Sequence, residues 1–127
     1  TVLKYFACHD VGFAIHPQNV EGQIEGAVVT GLGYALHEEV VIDKGRSLNP
    51  NLSDYRMPTT SDVVPVQMEI VEIPSRTGPF GAKGIGEPPI IPVAPAIANA
   101  IYDAIGVRLT NLPMTGEKVF WGMQRKG

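Results

Sequence analysis

Thirteen residues, Thr77 to Pro89, set the strongest limit on how this chain can fold. They read Thr-Gly-Pro-Phe-Gly-Ala-Lys-Gly-Ile-Gly-Glu-Pro-Pro, with four glycines and three prolines. Proline removes a backbone donor and glycine costs the most entropy to order, so neither helix nor strand can run through the segment. Its glycines leave backbone amides uncovered and free to face an anion or an oxo group, which suits a ligand-binding loop. A Walker-type phosphate loop is excluded because Lys83 is followed by Gly84 instead of Ser or Thr. A dinucleotide fingerprint is excluded because Gly81, Gly84 and Gly86 do not follow its order between a strand and a helix.

The flanking sequence supplies regular elements. Val2 to Ala7 is mostly apolar and predicts a buried strand, broken by a turn at Asp10-Val11-Gly12. Pro17 suits a first helical position, and Val20, Ile24, Ala27, Val28, Leu32 and Leu36 recur at three- and four-residue steps, predicting a long amphipathic helix to about Glu38. Gly22, Gly26, Gly31 and Gly33 fall inside it, each costing roughly 1 kcal/mol of helix propensity against Ala. Gly22 and Gly26 lie one turn apart and bare one face, either for a flat ligand or for close helix packing. Val40 to Asp43 and Arg46 to Asn49, around Lys44-Gly45, predict a hairpin, followed by a polar connection from Asn49 to Ser61. Val63 to Ile73 alternates as a half-exposed strand. Ala94 to Ile105 predicts a second buried helix ended by Gly106, and Thr115 caps a short terminal helix holding Val119, Phe120 and Met123.

These elements describe one α+β domain over residues 1–127. It has a mixed sheet, a long glycine-containing helix, a second buried helix and a Gly/Pro-rich active-site loop. So few strands are legible that the domain is expected to be incomplete, with sheet partners from another chain or from further sequence. The start at Thr1, without Met and directly in strand-like residues, fits a fragment or a subunit severed from a longer ancestral chain. The apolar face of the long helix and an unpaired strand at Val2 to Ala7 predict association with another chain.

Composition narrows the function classes. A formal charge of −3 with interspersed signs offers no basic stripe for nucleic acid or an anionic membrane. No stretch approaches the roughly 20 apolar residues of a membrane span, and no leader is visible, so a cytoplasmic setting is expected. The one cysteine, Cys8, forms no internal disulfide, and its flanks suggest a buried thiol. His9, His16 and His37 stand at spacings that match no zinc or haem pattern, so no protein-ligated metal is expected.

The chemistry-bearing candidate is Glu87. Pro88 is expected to hold it extended and stiff at the end of the loop. Partial desolvation by Ile85, Ile90 and Ile91 would raise its proton affinity toward that of a general base; the competing reading is a surface ion pair with Lys83.

Taken in order, Asp10-Val-Gly12, His16-Pro17, Gln23-Ile-Glu-Gly26, Thr30-Gly-Leu-Gly33, Glu38-Glu39, Tyr55, Pro58-Thr59, Asp62 and Gly84-Ile-Gly-Glu-Pro-Pro89 resemble the last part of molybdenum hydroxylases of the xanthine dehydrogenase and aldehyde oxidase type. The likeness covers almost the whole chain and thins after Gly106. It implies the C-terminal part of a molybdopterin-binding subunit, in which a pterin dithiolene, as molybdopterin or its cytosine dinucleotide, holds molybdenum and no side chain binds the metal. It implies that Glu87 is the catalytic base in hydroxylating an electron-poor carbon of an aldehyde or N-heterocycle. Gln23 would hydrogen-bond the cofactor, and Lys83, Gly84, Ile85 and Gly86 would wrap it with backbone; the competing reading of Gln23 is an exposed helix glutamine. Segments that orient substrate elsewhere in such subunits are missing, so the chain is expected to be inactive alone. It would work in a hetero-oligomer with a larger molybdenum-binding chain, or the N-terminal part absent here, and with partners carrying iron-sulfur clusters and FAD. A non-catalytic assembly piece, or a small anion-binding domain, are the alternative classes.

Overall fold

The computed structural model describes residues 1–125, built in the order β1 (Tyr5–Asp10), α1 (Pro17–Leu36), β2 (Ile42–Asp43), β3 (Arg46–Ser47), β4 (Val66–Val71), α2 (Val93–Ile105) and α3 (Gly116–Gln124). β1 and β4 pair in parallel, Tyr5 opposite Val66 and Asp10 opposite Val71, with α1 inside the connection that parallel strands require. β2 and β3 form a separate antiparallel hairpin. Helices with a small parallel and a small antiparallel sheet make this an α+β fold, as expected.

The strand at the N-terminus differs from expectation in place and in burial. It starts at Tyr5, whose N–H donates to Pro65 O at 3.0 Å, because only from there does β4 offer a partner. It is therefore not an unpaired strand. Its side chains alternate, with Ala7 buried and Tyr5 and His9 half-buried against Val66, Met68 and Ile70 on the inner face. Cys8, expected to be buried, falls on the outer face and is exposed.

α1 starts where the proline predicts. His16 caps it, Nδ1 accepting from Asn19 N at 3.2 Å, and Pro17 occupies the first turn. Val20, Ile24, Val28, Leu32 and Ala35 form a buried stripe that meets Val93, Ala94 and Ile97 of α2 and Met114. Gly31 is the contact point: a Cβ there would lie 2.5 Å from Val93 Cβ. Gly33 is likewise filled, its Cβ position lying against the Glu38 carboxylate and Pro58. Gly22 and Gly26 meet nothing within 4 Å, so packing inside the chain does not explain them.

The later elements follow local chemistry. The hairpin turns through Lys44 (φ 46) and Gly45 (φ 78), two successive left-handed residues, as a two-residue connection of right-twisted strands demands. Asn49 ties its base, Oδ1 accepting from Val41 N and Nδ2 donating to Glu39 O. α2 ends on Gly106 in the left-handed region, its N–H donating to Tyr102 O at 2.7 Å. Thr115 Oγ1 accepts from Lys118 N and starts α3, none of whose residues is buried. The outer face of α2 carries Ala96, Ala100 and Ala104 along a groove of about 1010 Å³, whose other wall is the segment Val2–Phe6.

The close approach at Gly31 predicts an asymmetry among the helix glycines. Gly31→Ala is expected to lower stability by roughly 1–3 kcal/mol through overpacking against Val93. Gly22→Ala is expected to be neutral or to stabilise by up to about 1 kcal/mol through helix propensity. Urea unfolding of the two variants beside the parent chain measures both; equal effects would refute the packing role of Gly31.

Candidate functional site

The glycine-rich loop is held to the end of the parallel pair by a ladder of backbone and carboxylate bonds. Val11 N donates to Val71 O at 2.9 Å, continuing the β1–β4 pairing by one residue. Val11 O then accepts from Lys83 N at 2.9 Å, and Phe13 N donates to Gly81 O at 3.0 Å. Gly12 sits between these bonds at φ 68, and a Cβ on it would fall 2.1 Å from Gly81 O. Conformation and space both require glycine there.

Asp10 closes this arrangement. Its Oδ1 accepts from Gly12 N at 2.9 Å and Ile73 N at 3.1 Å, and its Oδ2 accepts from Lys83 Nζ. The Lys83 ammonium and these two backbone donors hold its carboxyl down at about 2. Lys83 thus pairs with Asp10, and the alternative of a Lys83–Glu87 pair is not what the fold adopts.

Next to this ladder, residues 11–23 and 82–85 enclose a shallow hollow of about 210 Å³. Gln23, Lys83 and Ile85, three of the residues singled out in the sequence, line it together with Phe13, Ile15 and His16. Gln23 is exposed and its amide has no hydrogen-bond partner among the described residues. Gly84 and Gly86 continue the loop. A Cβ on either would meet open space, and neither has a positive φ, so no contact or backbone strain inside this chain accounts for their lack of a side chain. Phe80, at φ 53 and 88% exposed, is a left-handed non-glycine residue at the loop's near end, a conformation costing on the order of 1–3 kcal/mol.

Glu87 lies outside the wall of the hollow, and two expectations about it are corrected. It is not extended: at φ −107 and ψ −26 it opens a single 3-10 turn, Pro88–Ile90, with Ile90 N donating to Glu87 O at 3.1 Å, and that turn overrides the preference for extended backbone before proline. Pro79–Gly81 forms another short turn, with Phe80 inside it at φ 53 and ψ 19, so no helix or strand runs through the segment, as expected. Nor do the neighbouring isoleucines cover Glu87; it is exposed, and Ile91 is 71% exposed. What the fold does supply is anchorage. Pro89 is fully buried, and Ile90 O accepts from Tyr34 Oη of α1 at 3.2 Å. The carboxylate of Glu87 has no partner among the described residues.

The remaining motif residues gather at the other end of α1. Tyr55 donates through its hydroxyl to Glu38 Oε2 at 2.5 Å, which raises the phenol above its usual range. Asp62 Oδ2 accepts from Thr59 N and Oγ1, closing the turn after Pro58. These contacts hold the connection from Asn49 to Ser61 in place and are not part of the hollow. Sequence reasoning missed Tyr34, a helix residue with no local signal, and took Asp10 only as a turn residue. An Asp two positions before a Gly could have marked it, since its side chain bonds the backbone two residues on.

Comparisons with known proteins bear on the family and the fold of this chain. Residues 1–64 match a family described as a molybdopterin cofactor-binding domain. The xanthine dehydrogenase molybdenum-binding subunit of Escherichia coli O157:H7 is 43% identical over 122 residues, 94% of this chain and 16% of that protein. Quinoline 2-oxidoreductase from Pseudomonas putida 86 superposes with a TM-score of 0.87 at 36% identity, over 94% of this chain and 16% of that one. Aldehyde oxidoreductase from Desulfovibrio gigas superposes at 0.83 with 33% identity, over 92% of this chain and 13% of that one. The chain therefore spans about a sixth or less of the length of these relatives.

The carboxyl of Asp10 gives the site a defined acid limit. Its folded value is depressed from 3.8 to about 2, so the stability it adds is fully present above 3.8 and is lost as pH falls through about 2. Thermal unfolding between pH 6 and pH 2 is expected to fall more steeply below about pH 4 for the parent than for Asp10→Asn. Parallel curves for the two proteins would show that the Asp10 bonds do not form in solution.

Proposed function

The chain belongs to the molybdopterin cofactor-binding family, and from that membership we propose that it forms the C-terminal part of a molybdenum-cofactor-binding domain, supplying the base and part of the cofactor cradle of a hydroxylase. The reaction is hydroxylation of an electron-poor carbon of an aldehyde or N-heterocycle. The relatives named for xanthine dehydrogenase, quinoline oxidoreductase and aldehyde oxidoreductase support that substrate class. When bound, the molybdenum cofactor supplies the oxygen and takes up the electron pair as the substrate's C–H bond is exchanged for C–O.

The observation that carries this reading is the pair of glycines with nothing beside them. Gly84 and Gly86 lack a side chain at positions where this chain offers no reason for it, next to a hollow lined by an amide without a partner. A planar group approaching the backbone from outside is such a reason. The Gln23 amide would hydrogen-bond the cofactor, and the Lys83, Gly84, Ile85 and Gly86 backbone would lie along it. Glu87 would take the proton released as the new bond forms, on a carboxylate held by an anchored turn and left without a partner.

The rest of the machinery lies beyond this chain. The apolar groove beside α2, and Phe120 and Trp121 of α3, each 52% exposed, suit cover by more polypeptide of the molybdenum-binding protein. We place iron-sulfur clusters and FAD on partner chains or domains, since one cysteine cannot hold a cluster. The chain alone is inactive in this reading. No described helix is long and apolar enough to cross a membrane, and we place the protein in the cytoplasm.

The test is Glu87→Gln in the whole molybdenum-binding protein. Turnover is expected to fall by about 10²–10⁴-fold with molybdopterin content unchanged, the loss typical of removing a positioned base. Turnover retained with the cofactor in place would sink the catalytic role and move the chain to an assembly function.

A further inference from the structure

Glu87 hangs on a short span between two fixed points. The downstream point is the turn Pro88–Ile90, pinned by buried Pro89 and by the Tyr34 hydroxyl on Ile90 O. The upstream point is Lys83, which is tied at both ends: its backbone N–H donates to Val11 O at 2.9 Å and its ammonium meets Asp10 Oδ2. Between them lie Gly84, Ile85 and Gly86, and neither glycine has a Cβ to steady the span. Where Glu87 is presented therefore depends on how firmly Lys83 is held.

Water screens an exposed ion pair such as Asp10–Lys83, so the contact by itself adds little to global stability. Its contribution is orientational. Two backbone N–H groups, from Gly12 and Ile73, already fix the Asp10 carboxylate, so the ammonium meets an acceptor that needs no further ordering. We propose that Asp10 is a positioning residue, which by holding Lys83 fixes the upstream end of the Gly84-Ile85-Gly86 span and so sets where the Glu87 carboxylate is presented. The inference rests on the reading of Glu87 as the base.

The experiment uses the whole molybdenum-binding protein carrying Asp10→Asn. Asparagine keeps an oxygen for Gly12 and Ile73 but turns an amide toward the ammonium. Amide exchange over residues 81–87 is expected to accelerate at least fivefold, while exchange in α1 and β4 stays as in the parent. The value of kcat is expected to fall at least tenfold with KM within twofold. Lys83→Met leaves the backbone bonds of Asp10 intact and is expected to accelerate the same amides, whereas Lys83→Arg keeps their protection. The double variant is expected to be no faster than either single one, as for two groups acting through one contact. Unchanged exchange over 81–87 in either Asp10→Asn or Lys83→Met, or accelerations that multiply in the double, would overturn the assignment. Exchange is read without turnover, so a fully active Glu87→Gln sinks the reading of the base, and a quiet loop in Asp10→Asn sinks the positioning role alone.

Discussion

One carboxylate joins the three pieces of chain on which the site is built. Asp10 ends β1, bonds the backbone just past the end of β4 at Ile73, and reaches the glycine-rich loop through Lys83. A parallel pair leaves unpaired backbone groups at its ends, and here they are passed directly to the loop: Val11 O to Lys83 N, and Phe13 N to Gly81 O. The loop is thus attached mainly through backbone. It can afford to be rich in glycine, since its position does not depend on side-chain packing.

Helices were legible because their signals are local. The cap of α1 at His16-Pro17, its apolar stripe, the end of α2 at Gly106 and the start of α3 at Thr115 are each written within a few residues. The strand at the N-terminus was less legible, since its limits depend on where Pro65 and Val66 meet it some sixty residues later. The burial of Cys8 was misjudged for the same reason: an apolar flank does not say which face of a pleat a residue takes. In the candidate site, residue types and the loop could be read, and the fold brings Gln23, Lys83 and Ile85 to one hollow. Partnerships could not. Lys83 chose Asp10 over Glu87, a choice made by long-range geometry, and the anchor at Tyr34 left no trace in spacing.

The helix glycines divide along a physical line. Gly31 and Gly33 are there because other parts of this chain press against them, Val93 on one and Glu38 with Pro58 on the other. Gly22, Gly26, Gly84 and Gly86 face open space. A helix interior glycine costs roughly 1 kcal/mol against Ala, so keeping Gly22 and Gly26 without an internal contact is a local penalty that folding of this chain does not explain. Gly22 and Gly26 lie toward the N-terminal end of α1, whose Asn19, Val20 and Gln23 line the hollow, and Gly84 and Gly86 lie on the loop, whereas Gly31 and Gly33 lie toward the C-terminal end of α1. Helix preference is violated at all four α1 glycines, and contacts within this chain compensate for it only at Gly31 and Gly33.

Glu87 shows the same division of labour at the level of one residue. This chain fixes its backbone, through a turn pinned by Pro89 and Tyr34, and leaves its carboxylate open to water. Electrostatic groups act most strongly on a reaction where water is excluded, and nothing among the described residues excludes it from Glu87. The anchorage comes from Tyr34 and the Pro88–Ile90 turn of this chain; in the proposed reading of Glu87 as a base, the walls that exclude water would be supplied by cofactor, substrate and further polypeptide. If Glu87 is the proposed base, geometry confines it to its reaction, because this chain sets the position of its carboxylate before the environment in which it works is complete.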